Sequence, residues 1–474
     1  MSTLSMPAIT NFGANVTFTP QLSYQPRSEG EVLEILQKHR GQRIHASGSL
    51  HAWSEAARSD EVYLTLQHLN AVHVLHENDG PRANIGAGCQ IKRVLAQLDQ
   101  HGLTLPSVGL ISEQTIAGAT ATGTHGSGKH CLSQYLDSVR IAHYDATTGE
   151  PTITEVTGGD DLAAARCSLG CLGIIVSVTI RPRPQYNVEE WLASYADLSS
   201  VLAREADWPL QQFYYLPWLD RYLGQHRREV ERPRSWLAWC YRWYWFVAID
   251  IALHVTLRFI VQRLRSSACL KFFFRWIALS TVIRGWLIVD KSQDQLIMEH
   301  ELFRHIEMEL FVRREELAVA LDFLKQALVE FDGGAGFREE TREELRELDL
   351  LDKLAEPRER YTHHYPICVR RVLPDDTLIS ASSGGDDDFY AISLISYARP
   401  AERAGFFGFC DFLAPAMARL FAARCHWGKY CPLTKDEIDE LYPRLPEFVE
   451  VCERFDPPGR FANEWLVKVL SHEA

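Results

Sequence analysis

Residues 108–128 read VGLISEQTIAGATATGTHGSG, with five glycines and few bulky side chains. A backbone of this composition can close round a pyrophosphate through successive N–H donors, with Ser and Thr hydroxyls adding further donors and acceptors. A Gly-rich interdomain loop would require neither this length nor this order. Upstream, residues 46–54 read ASGSLHAWS. Small residues followed by His and Trp make a tight turn whose amides can approach an anionic group. On its own, His51 would be read as a surface or packing residue. The turn is neither a P-loop, since no GK[ST] follows, nor G-x-G-x-x-G. Downstream, residues 166–180 read RCSLGCLGIIVSVTI, where Gly170 and Gly173 let the backbone pass close to a flat ring system before a buried strand.

Around these segments the pattern is that of a folded α+β chain. The 474 residues are enough for two or three domains, and 46% apolar with 23% charged residues is ordinary for a globular protein. With 62 acids against 49 Lys and Arg, net charge −13, a nucleic-acid partner is excluded. The eleven cysteines show no CxxC pair and no zinc spacing, so no metal is expected and reduced thiols in a cytoplasmic setting are. No secretory signal is read at the N-terminus. Apolar spacing predicts helices over 28–40, capped by Ser28, and over 90–101 and 314–330. Strands are predicted at 60–66, 71–75, 83–86 and 173–181, with another in ELFVRR near 310. RPRPQY at 181–186 marks a boundary between a domain at 14–185 and one at 186–474. The charge-dense run 338–358 reads as a solvated helical face.

Residues 236–289 are dense in Trp, Phe, Ile and Leu, but Arg242, Asp250, Arg258, Arg263 and Arg265 interrupt any spanning run. Arg242, Asp250 and Arg258 are eight apart and can share one stripe of a helix. Two readings stand: an amphipathic hairpin on a membrane surface or partner, or a core element with snorkelling arginines.

Taken in order and spacing, the three Gly-rich segments resemble the FAD-binding domain of the vanillyl-alcohol oxidase superfamily. The tail resembles the aldonolactone and alditol oxidases within it, through HWGK at 426–429, LYPRLPEFVEVCERFDPPGRFANEWL at 441–466 and VRRVLPDDTLIS at 369–380. The apolar stretch and EMELFVRRE also resemble animal L-gulonolactone oxidase, a membrane-associated enzyme. The likeness runs from about residue 20 to 470 and is patchy over 187–300. It implies a two-subdomain FAD-binding domain followed by an α+β cap domain with an antiparallel sheet, the HWGK segment returning to the flavin.

The resemblance also implies site residues. His51 matches the flavin-linking histidine, in a turn with Gly48, Ser49, Ala52, Trp53 and Ser54; Leu50 stands where many members have Gly. The pyrophosphate loop carries Gly109, Ser112, Thr115, Gly118 and Ala119, then Thr122, Gly123, His125 and Gly126. Gly173 and Ile175 border the isoalloxazine. Gly109 matches the Gly of oxidases, replaced by Ala in a dehydrogenase that excludes oxygen. Arg370 and Lys429 match active-site residues, and His426 orients the loop or lines the pocket. The family's glutamate two residues before the arginine is Cys368 here. A neutral thiol is no substitute for a carboxylate as acceptor or base, so another acid supplies that role or the substrate differs. The expected activity is oxidation of a sugar-derived 1,4-lactone or polyol by FAD, with O2 as acceptor and H2O2 as product. Alternatives are a dehydrogenase using a quinone or cytochrome, and a catalytically weak, membrane-associated flavin protein.

Overall fold

The computed structural model describes residues 7–298, 302–355 and 360–470. Ser28 starts the first helix, Glu29–Lys38, by accepting from the Glu31 amide, and Val32, Ile35 and Leu36 turn into the core. This helix is the crossover of a three-stranded parallel sheet, where Val62–Thr65 lies between Leu22–Tyr24 and Ile44–Ser47. A five-stranded antiparallel sheet follows, ordered Pro151–Val156, Leu136–Tyr144, Ile174–Ile180, Gly80–Gly86, Val72–Glu77. Its central strand is the β-branched run IIVSVTI, buried at every residue but Thr179. Helix Ile91–Asp99 turns Ile91, Val94, Leu95 and Leu98 inward.

From Asn187 onward the chain builds an eight-stranded antiparallel sheet. Its order is Ile288–Lys291, Asn187–Tyr195, Arg221–Val230, Gln212–Leu216, Ile367–Val372, Phe389–Ser396, Ile306–Arg313 and Arg424–Cys425. Helices Leu317–Phe331 and Ala404–Phe421 pack on one another and on the strand Ile306–Arg313. The charge-dense segment forms Glu339–Glu347, with only Thr341 and Leu345 buried, and Leu351–Ala355; residues 356–358 lie outside the described residues. The end of the chain returns to the N-terminal sheets. Helix Leu445–Phe455 packs on Gly159–Arg166, and Asn463 Nδ2 donates to the carbonyls of Glu55, Ala56 and Arg58. All eleven cysteines are free thiols.

The apolar stretch is a helical pair. Ala238–Leu264 is continuously helical, with two wide π turns, and ends at Arg265 in the left-handed region; a second run covers Ser267–Thr281. Its polar stripe faces the protein. Arg242 pairs with Asp290 and Asp294, Asp250 is buried, and Arg258 lies over the Phe303 ring. The opposite face exposes Trp236 (82%), Trp243 (61%) and Val255, and the second run exposes Phe272 and Trp276 (68%). Neither sequence reading describes this fully, because the charges bind the protein while much of the apolar surface stays outside.

Candidate active site

One deep cleft runs between the N-terminal sheets and the eight-stranded sheet, and all three Gly-rich segments line it. The loops meet so closely that a Cβ on Gly48 would sit 1.9 Å from Thr115 Oγ1. Gly173 adopts φ +134, where a Cβ would also strike the Ala142 carbonyl at 2.5 Å. Leu50 holds φ +56, the left-handed conformation that glycine normally supplies. The turn is therefore kept although its glycine is not. It delivers His51 to the cleft wall, buried and stacked on the Phe12 ring at 5.0 Å.

The next residues of this turn grip the C-terminal loop. Trp53 N donates to the Gly428 carbonyl at 2.8 Å, Ser54 Oγ to the Trp427 carbonyl at 2.6 Å, and Trp53 Nε1 to the His305 carbonyl at 2.8 Å. Lys429 Nζ lies 4.3 Å over the Trp53 ring and pairs with Glu307.

The opposite wall is the eight-stranded sheet. Tyr214, Cys368, Ser393 and Glu309 are register partners on four adjacent strands, so their side chains share one face. His426 extends the row, its amide donating to the Glu309 carbonyl. Arg370, two residues beyond Cys368 and so on the same face, donates to Glu309 Oε1 at 3.2 Å and to Ser393 Oγ at 3.1 Å. Ser393 Oγ donates to Glu309 Oε1 at 2.6 Å, and His125 Nε2 stands 3.5 Å away.

Charge in this wall is balanced locally. Burial alone would raise the Glu309 carboxyl, but the Arg370 guanidinium and His125 outweigh it and hold it well below the ordinary value. Burial opposes the charge of Arg370 too, and Glu309 reverses that, so the guanidinium stays protonated. Burial pushes the Cys368 thiol up to about 11, so it is neutral. Burial brings His426 down to about 3; its Nδ1 accepts from the Gly428 amide at 2.9 Å, so the neutral ring carries its proton on Nε2. His125, Glu309 and His426 offer ligand-type atoms within 4.8 Å of one another. Arg370 already holds this carboxylate and Lys429 stands nearby, a positive field that disfavours a divalent cation.

Fifteen of the twenty residues singled out from the sequence line the cleft together, from Gly48 and His51 to Arg370, His426 and Lys429. Five do not. Ser54 is the clamp to Trp427, and Ser112 Oγ donates to Glu113. Ala119 is buried inside the short helix Ile116–Ala121, after which Gly123 turns the chain at φ +73. Gly126 packs against the Val108 carbonyl. The sequence reading overlooked Glu307, Glu309 and Ser393 in this wall, and did not bring Asp250 to the cleft. The only signal was E-M-E at 307–309, two acids on one face of an otherwise apolar strand.

The first half of the cleft has what a dinucleotide flavin needs: glycine-only approaches between Gly48 and Thr115 and at Gly173, and hydroxyls on Ser49, Thr115 and Thr122. Bound there, FAD would accept two electrons as hydride from an alcohol carbon and pass them to O2.

Comparison with known proteins agrees. Residues 20–149 match the family model described as FAD binding domain, and 250–469 that of D-arabinono-1,4-lactone oxidase. A long-chain alcohol oxidase from an uncultured marine euryarchaeote is 51% identical, over 97% of this chain and 96% of that one. L-gulonolactone oxidase of Mus musculus is 26% identical, over 97% of each chain. In fold, a solvent-stable cholesterol oxidase superposes with TM-score 0.74 at 14% identity, covering 98% of this chain and 97% of that one. The chain thus belongs to the D-arabinono-1,4-lactone oxidase family, within the vanillyl-alcohol oxidase type of FAD-linked enzymes, and is an FAD-dependent oxidase acting on a CH–OH group.

Proposed function

We propose that this oxidase acts on a long-chain aliphatic alcohol rather than on the sugar-derived lactone or polyol that the family resemblance implies. One observation carries the reading. Beside Tyr214, His254, Met298, Tyr365, Cys368 and Ile395, the substrate-side lining holds its charged groups in closed pairs, Glu309 with Arg370 and Glu307 with Lys429, and Ser393 is engaged with Glu309. A lactone with several hydroxyls needs a matched polar partner for each, and charged groups already closed on one another are poor partners. An alkyl chain needs only apolar walls. The 51% identical relative, named a long-chain alcohol oxidase, supports the same choice. The test is anaerobic bleaching of the flavin. 1-Dodecanol is expected to bleach it at least about tenfold faster than L-gulono-1,4-lactone at equal concentration. Faster bleaching by the lactone would overturn the reading.

The same proposal takes His51 as the residue to which the flavin is covalently linked. Its burial on the cleft wall, stacked on Phe12 in a turn preserved despite Leu50, supports this. Acid-precipitated protein is expected to stay yellow, and His51→Ala to release all its FAD. Free FAD in the wild-type supernatant would refute the linkage.

The outward face of 236–289 is proposed to rest on a lipid surface, with the cytoplasmic side of a membrane as the site of action. Exposed Trp236, Trp239, Trp243 and Trp276 support it, rimmed by exposed Arg263, Arg275 and Arg284. Asp250 and His254, on the inner side of the same helix, line the cleft. An alcohol dissolved in lipid would thus lie one helix away from the site.

A further inference from the structure

Three carboxylates line the cleft among the described residues: Asp250, Glu307 and Glu309. Asp250 belongs to the helical pair, remote in sequence from the sheet row. Glu307 is paired with Lys429, and it is that lysine that lies over Trp53 of the flavin-side turn. Glu309 stands differently. Its Oε1 meets the sheet residues Arg370 and Ser393 and, at 3.5 Å, His125 of the Gly-rich loop 108–128. These contacts all fall on Oε1, and Oε2 takes no part in them. Glu309 is therefore the carboxylate where the flavin-side loop and the substrate-side sheet converge.

Its place in the sheet explains the cysteine. Cys368 and Glu309 are both register partners of Ser393, one on each side. Neighbouring strands lie about 4.8 Å apart. A glutamate side chain on either flanking strand can thus reach the surface above Ser393, within contact of Arg370.

We propose that Glu309 is the catalytic carboxylate of this oxidase, receiving the substrate's hydroxyl hydrogen, and that the acidic function has moved two strands across the sheet from position 368. The assignment rests on the reading of this cleft as the alcohol-oxidising site. With FAD bound as hydride acceptor, the carbinol C–H bond would break and its electron pair would leave the carbon as hydride. The O–H bond breaks, its proton passes to the Glu309 carboxylate, and the carbonyl forms between carbon and oxygen. Arg370 and Ser393 fix the carboxylate. The positive charge that the wall gains with this proton would be balanced by the electron pair delivered to bound FAD.

The test uses the holoenzyme and stopped-flow flavin reduction under anaerobic conditions. Glu309→Gln keeps size and hydrogen bonds but removes the charge, and is expected to slow reduction by about 100-fold or more. Glu309→Gln combined with Cys368→Glu restores the acid from the other strand and is expected to regain at least about tenfold. Reduction within about threefold of wild type in Glu309→Gln, or loss confined to Glu307→Gln, would overturn the proposal. If 1-dodecanol leaves wild type oxidised while L-gulono-1,4-lactone reduces it, the alcohol reading fails, and the same variants are compared on the lactone. Sulfite titration of the flavin needs no substrate and covers the case where neither works. Removing the Glu309 charge is expected to tighten sulfite binding by about tenfold, and adding Glu at 368 to reverse that. Unchanged sulfite affinity places the carboxylate away from the flavin and refutes the assignment. Should Glu309→Gln not load flavin, Glu309→Asp, which keeps the charge, is read by the same two measurements.

Discussion

Ser54 Oγ donates a 2.6 Å hydrogen bond to the carbonyl of Trp427, 373 residues away in the chain. With the adjacent bond from Trp53 N to the Gly428 carbonyl, it locks the turn that carries His51 to the loop that carries His426 and Lys429. The flavin-side and substrate-side segments are therefore joined directly to each other.

Ser54→Ala leaves the buried Trp427 carbonyl without this donor. The expected loss is about 1–3 kcal/mol, read as a lower thermal midpoint of the holoenzyme. Flavin reduction is expected to slow as well, because Lys429 leaves its position over Trp53. A midpoint within about 1 °C of wild type would show that the clamp contributes little.

The halves of this site were unequally legible in the sequence. Flavin-side loops are read from contiguous residues, because glycines and hydroxyls at fixed spacing report a local backbone requirement. Glu309 was not legible. Its neighbours Ser393, Cys368 and Arg370 lie 59 to 84 residues further along the chain, and only the register of three strands shows that they meet. The orientation of 236–289 was hidden for a related reason. Helical spacing groups Arg242, Asp250 and Arg258 on one stripe, but cannot say that Asp290 and Asp294 wait on the protein side to receive Arg242.

Leu50 offers a test of the turn itself. Left-handed backbone costs a leucine about 1–2 kcal/mol, and glycine removes that cost while adding chain entropy of about 0.5–1 kcal/mol. Leu50→Gly is thus expected to melt close to wild type and keep its flavin. Leu50→Val puts a β-branched residue at φ +56, and should lose both stability and flavin content. Equal behaviour of the two variants would contradict the conformation.

Acid should destabilise the protein well before its carboxylates titrate. Burial brings His305 and His426 down to about 3, and His226 and His364 to about 4. Unfolding returns each to about 6.5, so the unfolded chain binds more protons in between. Stability is then full above about pH 6.5 and falls as pH drops toward these folded-state values. Urea midpoints between pH 7 and 5 should decline with uptake of about three protons on unfolding. A flat profile would deny the burial of these rings. His426, neutral throughout this range, should place no limb of its own in the pH profile of flavin reduction.

Gly109 bears on the acceptor. A Cβ there would stand 2.9 Å from Thr124 Cγ2 and 3.2 Å from the His125 carbonyl, at the wall of the cleft. Gly109→Ala is expected to slow reoxidation by O2 about tenfold while turnover with a dye acceptor changes by less than about threefold. Equal slowing with both acceptors would mean that the methyl group disturbs the flavin rather than the approach of oxygen.

The exposed tryptophans provide the last test. Three of them, Trp236, Trp239 and Trp243, lie at or near the start of the helix Ala238–Leu264, outside the cleft lining. At about 25 cal/mol per Å2, burying roughly 200 Å2 of this face in lipid contributes about 5 kcal/mol. The arginine rim adds a preference for anionic headgroups. The wild-type protein is therefore expected to float with vesicles of phosphatidylcholine and phosphatidylglycerol, and less with phosphatidylcholine alone. Replacing all three tryptophans with Gln should abolish flotation but leave flavin reduction by water-soluble 1-hexanol unchanged. Oxidation of 1-hexadecanol presented in vesicles should then fall with flotation. Wild-type protein that stays at the bottom of the gradient would remove the lipid surface from this account, and vesicle-borne alcohol oxidised equally by the triple variant would show that substrate reaches the cleft through water.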